Sequence, residues 1–319
     1  MEVRNLFTSS FDMIRFYLKS VLFILLIITI LMVLNRLYIS TDRYLTYNKT
    51  KDFLNISEGY DFVNFGTSHA QFAIDYSTVD KKGFNFALPS QPLLYDNALL
   101  SEYNDKFSKD LTAIIVISPF SLFYDLSENK IKELSAGYYR ILSRDNIPFF
   151  EWSKWIMYRL FPVISAKREL WAIISDEIDV AERKYRVKEK NLYSEENLKK
   201  IAKKRAKSHL NRCNIEFLER NLVGLNIIIG RLRQMEAKII IVIPPFTKYY
   251  YNEFSDVYKQ IMNDTLMDVS KNHKIIFKDY SEDKRFYENI DLFADSDHLN
   301  KSGRKLFTKI LFEECIFDR

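Results

Sequence analysis

Apolar and polar positions divide the chain into one long apolar run near its start and, beyond it, short apolar runs that alternate with amphipathic stretches. Val21 to Leu34 is apolar throughout except at Thr29. With the flanks Phe16-Tyr17-Leu18 and Leu37-Tyr38-Ile39, the run reaches the roughly 20 residues needed to cross a bilayer. Phe16 to Ile39 is therefore predicted as a transmembrane helix, with Lys19 and Arg36 near its ends, where basic side chains snorkel. A cleaved signal peptide needs small residues after its apolar core, and Asn35-Arg36-Leu37-Tyr38 offers none, so the anchor is expected to stay attached. Residues 1–15 read as a tail and residues 40–56 as a polar stalk.

After the stalk the pattern changes period. Tyr60 to Phe65 is rich in aromatic and β-branched residues and stops at Gly66, which predicts a buried strand followed by a sharp turn. Lys82 to Ala87 predicts a second strand, running into the turn-rich Leu88-Pro89-Ser90-Gln91-Pro92 and then a helix from Leu93 to Phe107. Thr112 to Ser118 is apolar without alternation, the mark of a central parallel strand buried on both faces. Lys238 to Ile243 has the same character, and Lys274 to Lys278 predicts a short last strand. Helices are expected from Ala70 to Ser77, Ile215 to Met235, Phe254 to Asn272 and Arg304 to Glu314. This alternation predicts a three-layer α/β/α sandwich around a central parallel sheet, occupying residues 57–319 and interrupted by a helical insertion over about 122–214.

Composition narrows the class. A 47% apolar content is ample for a core, and seven glycines with seven prolines are too few for a disordered or fibrous chain. A net charge of +5 from 47 basic and 42 acidic residues is mild and gives no reason to expect nucleic acid. Basic residues flank the apolar run on both sides, Arg4, Arg15 and Lys19 before it and Arg36, Arg43, Lys49 and Lys51 after, so their count sets no orientation. The only cysteines, Cys213 and Cys315, cannot make a metal site by themselves; free thiols and a single disulfide both stay open. His209 and His273 have no metal-ligand company, and no zinc spacing, phosphate loop or repeat is present, so no metal or cofactor is expected. Within the insertion, Trp152, Trp155, Tyr158 and Phe161 form an aromatic section that fits a core, a lid or a membrane-resting surface. Lys188 to Arg212 is a basic run, read as a solvated helix face or a contact for anionic polymer or lipid headgroups.

Two short stretches carry chemistry. Gly66-Thr67-Ser68 places a serine just beyond the carboxyl end of a strand, where open α/β sheets put their ligand crevices. Near the other end, Asp295-Ser296-Asp297-His298-Leu299-Asn300 sets a carboxylate three residues before a histidine. On a single turn Asp295 can reach the imidazole Nδ1–H of His298, leaving Nε2 to face a hydroxyl, and serine is a poor nucleophile until such a base takes its proton. Ser68, His298 and Asp295 are therefore the candidate catalytic residues. His69 is expected to diverge from Ser68 at the turn, and Asp297 is expected to face solvent.

In the order and spacing of these stretches the chain resembles the SGNH (GDSL-like) hydrolase and acyltransferase superfamily over roughly residues 57–312. Gly66-Thr67-Ser68 stands where that family has Gly-Asp-Ser, and Asp295-x-x-His298-Leu299-Asn300 matches its last block. The resemblance implies a flavodoxin-like sheet and an oxyanion hole near Asn85 to Gln91, with Ser90 giving a backbone N–H and Gln91 a side-chain donor; an ordinary turn with Ser90 as helix N-cap is the other reading. After the third strand, Pro119-Phe120-Ser121 stands where the family has Gly-x-Asn-Asp, so its third-block asparagine is missing. That departure, with the anchor, implies a divergent member: a membrane-anchored, extracytoplasmic serine acyltransferase acting on a cell-envelope polysaccharide or teichoic-acid-type polymer. By the same analogy its partners are the lipid bilayer, a multi-spanning membrane-bound O-acyltransferase and the surface polymer that accepts the acyl group. An esterase or deacetylase of surface glycans and a non-catalytic scaffold of an acylation complex are the alternatives.

Overall fold

The long apolar run forms one helix, α1 (Ser10–Ile39), which begins earlier than its apolar core because the preceding turn also keeps helical spacing. In this computed structural model the described residues are 10–41, 44, 50–166 and 194–317. They fall into two units, one within Met1–Lys51 and Glu151–Glu177, the other within Asp52–Phe150 and Ile178–Arg319.

In the first unit, Met13–Ile39 is long and apolar enough to cross a membrane, its most apolar 18 residues having a mean hydropathy of 2.6 and none of them buried. The helix closes its own backbone hydrogen bonds, as a span in hydrocarbon must. Thr29, the single polar residue of the run, turns its hydroxyl back onto the Leu25 carbonyl at 2.8 Å. Asn35 uses both ends of its amide on residues from the 151–166 segment, donating to Leu160 O and accepting from Val163 N, each at 3.2 Å. Tyr38 and Tyr44 then bury themselves against Val163 and Ala166. Trp152 and Ile156, from the aromatic section, remain exposed.

The second unit holds a five-stranded, wholly parallel sheet of order β2-β1-β3-β4-β5. β1 is Tyr60–Gly66, β2 Gly83–Asn85, β3 Phe107–Val116, β4 Lys238–Ile243 and β5 Ile276–Asp279. The expected α/β architecture is therefore present. β3 starts earlier than its apolar segment, because Phe107 pairs with Tyr60 before the register shifts and Phe62 meets Thr112. β5 is displaced towards Asp279, since Lys274 takes a left-handed conformation (φ 50°) that ends the preceding helix.

Packing follows the apolar runs. Ile114 of β3 lies between Asn64 of β1 and Ile240 of β4, and Ile240 in turn lies against Ile276 of β5. Ile240, Ile241, Val242 and Ile243 are all wholly buried, each such side chain contributing about 1.5–3 kcal/mol relative to exposure. Covering helices are α2 (Ser68–Gln71), α3 (Leu93–Glu102), α4 (Glu195–Leu210), α5 (Leu218–Gln234), α6 (Asp256–His273) and α7 (Lys301–Phe312), with shorter helical segments between them. The helix expected over Ala70 to Ser77 is only α2 and a 3-10 turn at Tyr76–Thr78, and the one expected from Leu93 stops at Glu102. Residues 167–193, including the first part of the expected basic run, lie outside the described residues.

Candidate active site

A sheet of order 2-1-3-4-5 reverses its winding direction between β1 and β3, and the crevice at the carboxyl ends of those two strands is where such folds bind ligands. Gly66 closes β1 there, opposite Val116 of β3. It adopts φ 129°, and a Cβ on it would lie 2.4 Å from the Val116 carbonyl oxygen, so only glycine lets β1 turn this close to β3. Thr67 caps α2 by accepting from the His69 N–H, and Ser68 is the first residue of that helix, half-buried. The carboxylate of Asp96, buried at the start of α3, accepts the Gly66 N–H at 3.0 Å and fixes the turn from below.

The C-terminal loop meets Ser68 from the other side. Residues 293–299 form a small closed loop: Phe293 bridges Leu299, and Ala294 N–H donates to His298 O at 2.8 Å. Asn300 caps α7 through the Gly303 N–H and ties the loop down by donating to Asp291 O. Inside the loop, Asp295 Oδ1 accepts from the His298 N–H at 2.9 Å and the Asp297 N–H at 3.2 Å, an Asx turn. Both Asp295 oxygens stand 2.9 Å from His298 Nδ1. A carboxylate only accepts, so Nδ1 carries the proton and Nε2 is the bare nitrogen. His298 Nε2 lies 2.9 Å from Ser68 Oγ, and the hydroxyl donates to it. Ser68, His298 and Asp295 are thus joined in one chain of hydrogen bonds. Burial works against the Asp295 charge, yet the His298 ring beside it holds the carboxyl below its ordinary range.

A second polar cluster lies behind the first, built from residues that the sequence reading set aside. Asp297 is buried, where solvent exposure was expected: the Asx turn rotates its side chain inward. Its Oδ2 is 2.9 Å from His69 Nε2 and 3.1 Å from Arg205 Nε, and its Oδ1 accepts from Ser296 Oγ at 2.8 Å. Because the carboxylate only accepts, His69 donates from Nε2 and its Nδ1 is bare, so Ser118 Oγ donates to it at 3.0 Å. Thr67 Oγ1 must then donate to Ser118 Oγ at 2.6 Å, while Thr67 itself accepts from the His69 N–H. Every proton in this chain has one position. Burial lowers His69 to a pKa of about 4, against the pull of Asp297, so the ring is neutral at pH 7. Burial opposes the Asp297 charge, but His298, His69 and Arg205 together keep the carboxyl well below its ordinary range.

Aromatic rings seal this cluster. Phe120 and Phe246, which follow the prolines ending β3 and β4, pack on His69 at 5.3 and 4.9 Å between centroids, so these two loops wall the buried ring. His209, one helical turn after Arg205 on α4, bonds Tyr250 Oη through Nδ1 at 2.7 Å; burial lowers its pKa to about 3. The basic run on α4 therefore divides: Lys199, Lys200, Lys203, Lys204 and Lys207 are exposed, whereas Arg205 and His209 turn inward. Only their four-residue spacing could have placed both on one face. His69, Asp297 and His298 bring their ligand atoms within 4.8 Å of one another, the spacing of a metal site. The donor set does not suit a cation, because Asp297 Oδ2 is already bound by the Arg205 guanidinium and His298 Nε2 by Ser68.

The expected oxyanion residues fare differently. Gln91 cannot give a side-chain donor: its amide is buried and spends Nε2 on Phe86 O and Asp96 Oδ1, while Oε1 accepts from Tyr138 Oη at 3.0 Å. These bonds to Phe86, Asp96 and Tyr138 hold the amide inward. Burial raises that carboxyl to a pKa of about 7. Ser90 takes a left-handed conformation (φ 59°) at the turn, and α3 is capped by Pro92 without a side-chain bond, so Ser90 is not its N-cap. Ser90 lines a cavity of about 760 Å³ with Pro92, Tyr124, Arg212, Cys213 and Phe217. The two cysteines are free thiols, Cys213 half-buried and Cys315 buried.

No protein-family model and no curated protein matches the chain. Among solved structures, one from Streptococcus pneumonia, provisionally described as a platelet activating factor, aligns over 92% of this chain and 98% of its own, at 12% identity and a TM-score of 0.39. Another, from Bacteroides fragilis and provisionally described as an acylhydrolase, aligns over 86% and 97%, at 9% identity and a TM-score of 0.39. Likeness at that level carries no functional weight, and the reading of the site rests on its own geometry.

Proposed function

We propose that the protein is a serine acyl-transfer enzyme working through an acyl-serine intermediate. The observation that carries this reading is the pair of 2.9 Å contacts, Ser68 Oγ to His298 Nε2 and His298 Nδ1 to the Asp295 carboxylate. In the proposed first half-reaction, Ser68 Oγ attacks an ester or thioester carbonyl while its proton passes to His298 Nε2. Asp295 holds the ring in that tautomer and stabilises the imidazolium. The imidazolium returns the proton to the leaving group as the carbonyl re-forms. In the second half an acceptor hydroxyl gives its proton to the same nitrogen and attacks the acyl carbon, and Ser68 Oγ leaves with that proton returned to it from His298.

The α1 anchor favours an acceptor at a membrane surface, so the finer proposal is a membrane-anchored acyltransferase for a sugar or polyol hydroxyl of a cell-envelope polymer, with its catalytic domain outside the cytoplasm. Delivery of the acyl group by a multi-spanning O-acyltransferase is proposed by analogy alone. The half-buried Ser68 favours a second reading, since water can also resolve the intermediate and make the protein an esterase. Incubating the full chain with an acylated donor and a polyol acceptor separates the two: acylated polyol supports transfer, while free acid alone supports hydrolysis. Absence of any Ser68 adduct with a fluorophosphonate would remove both.

A further inference from the structure

Asp297 supplies a second carboxylate to His298, and no step above uses it. Its Oδ2 lies 4.0 Å from His298 Nε2, the nitrogen that faces the Ser68 hydroxyl, whereas Asp295 addresses the opposite nitrogen, Nδ1. The charge is fully buried, which is costly unless a buried carboxylate is both paired and hydrogen-bonded. Both conditions are met, by Arg205 and by the directed chain Thr67, Ser118, His69. A structural tie between the loop and α4 would need only the Arg205 contact. The additional chain reaching from Ser118, just beyond β3, through His69 keeps Oδ2 beside the nitrogen of His298 that Ser68 addresses.

We propose that Asp297 is a positioning residue acting through His298: its clamped carboxylate stabilises the imidazolium formed when Ser68 Oγ gives up its proton. The inference rests on the acyl-serine reading for its chemical meaning, but the electrostatic link can be measured without turnover. No bond to Asp297 forms or breaks, and the proton moves only between Ser68 Oγ and His298 Nε2. The groups facing His298 set the sign. From its own loop come Asp295 and Asp297, both negative; from α2 come Ser68, neutral, and His69, whose ring lies 5.1 Å away between centroids, together with Phe72 just beyond that helix, also at 5.1 Å. From α4 come Arg205, positive, and His209, which is bonded to Tyr250. Removing Asp297 thus removes a negative charge near the ring, and removing Arg205 removes a positive one.

Asp297→Asn keeps the shape of the side chain and deletes its negative charge, and Arg205→Gln deletes the positive charge while retaining a donor. Each is made in the full detergent-solubilised chain, and the imidazole signals of its four histidines are followed by NMR against pH, alongside the pH profile of Ser68 labelling by a fluorophosphonate. An opposite charge within about 4–6 Å shifts a titration by about 1–3 units. The expected result is that the His298 transition falls by about one unit or more in Asp297→Asn and rises in Arg205→Gln, with labelling midpoints moving in the same directions. Shifts in the same direction in both variants, or no shift in Asp297→Asn, would overturn the proposal, even if labelling slowed equally at every pH as a merely structural role predicts. Opposite NMR shifts without any labelling of native Ser68 would keep the electrostatic role and remove the acyl-serine reading instead. Should Asp297→Asn fail to fold, Arg205→Gln decides alone: a fall or no change overturns the proposal.

Discussion

Helix α1 and the cluster around Ser68 treat burial in opposite ways. The helix holds its apolar side chains outward along most of its length, Leu26 at 55% and Ile30 at 49% exposure among them, while the cluster puts the ionised Asp297 carboxylate, two histidines and several hydroxyls out of reach of water. In water alone each arrangement is unfavourable, the first because contiguous apolar surface is exposed, the second because charge is desolvated. The helix is long and apolar enough to suit a different solvent, hydrocarbon, with its own backbone already satisfied. The cluster needs none, since each charge is answered by a neighbouring proton or cation. A surface that waits for a solvent and a core that replaces one leave different traces in the sequence.

The largest expected effect attacks the helix. Leu26→Arg with Ile30→Arg places two cations near the middle of the apolar run, at roughly 2.5–3.5 kcal/mol each in a membrane span. Alkaline carbonate washing should then extract the double variant from membranes while native protein stays; equal retention of both would contradict a spanning α1. In the cluster, His298→Ala removes the base and should slow fluorophosphonate labelling of Ser68 by about 10²–10⁴-fold. A rate within threefold of native would mean that another group activates the serine.

Smaller effects test how the cluster is held. Gly66→Ala forces a Cβ against the Val116 carbonyl at a φ that L-residues avoid, and should lower stability by about 2–3 kcal/mol, read from the denaturant midpoint. An unchanged midpoint would show that the turn relaxes freely. Asp96→Asn acts through pH. Burial raises the folded Asp96 pKa to about 7 from 3.8, so between those values the folded chain binds more protons than the unfolded one, and stability falls as pH rises through that window. Asparagine, which never ionises, should flatten this slope while still accepting from Gly66 N–H. An identical slope in the variant would assign the pH dependence to other groups.

The same contrast explains what could be read from the sequence. Patterns of apolar residues are local, so α1, β1 and β4 stood out as runs rich in apolar residues, and the Ser68 turn and the Asp295-to-His298 spacing were visible because each lies within one turn of chain. The second cluster is assembled from four distant segments. Asp297 looked like any acidic loop residue until the Asx turn on Asp295 rotated it inward, and Arg205 looked like one more member of a basic run. His69 follows Ser68 directly, yet the start of α2 lets both side chains serve the site, one towards His298 and one towards Asp297. Gln91 failed as an oxyanion donor for a similar reason: its amide partners, Asp96 and Tyr138, come from α3 and from the insertion. β5 shifted because the end of α6 depends on one left-handed lysine that composition does not mark.

The most direct test is covalent. Full-length protein and its Ser68→Ala variant are treated with a fluorophosphonate at pH 7.5 and the adduct is mapped by peptide mass spectrometry. Modification confined to the Ser68 peptide of native protein and absent from the variant is the predicted result. Equal modification of both, or none in a native protein whose folded state is verified by its thermal transition, would contradict an activated serine at the end of β1.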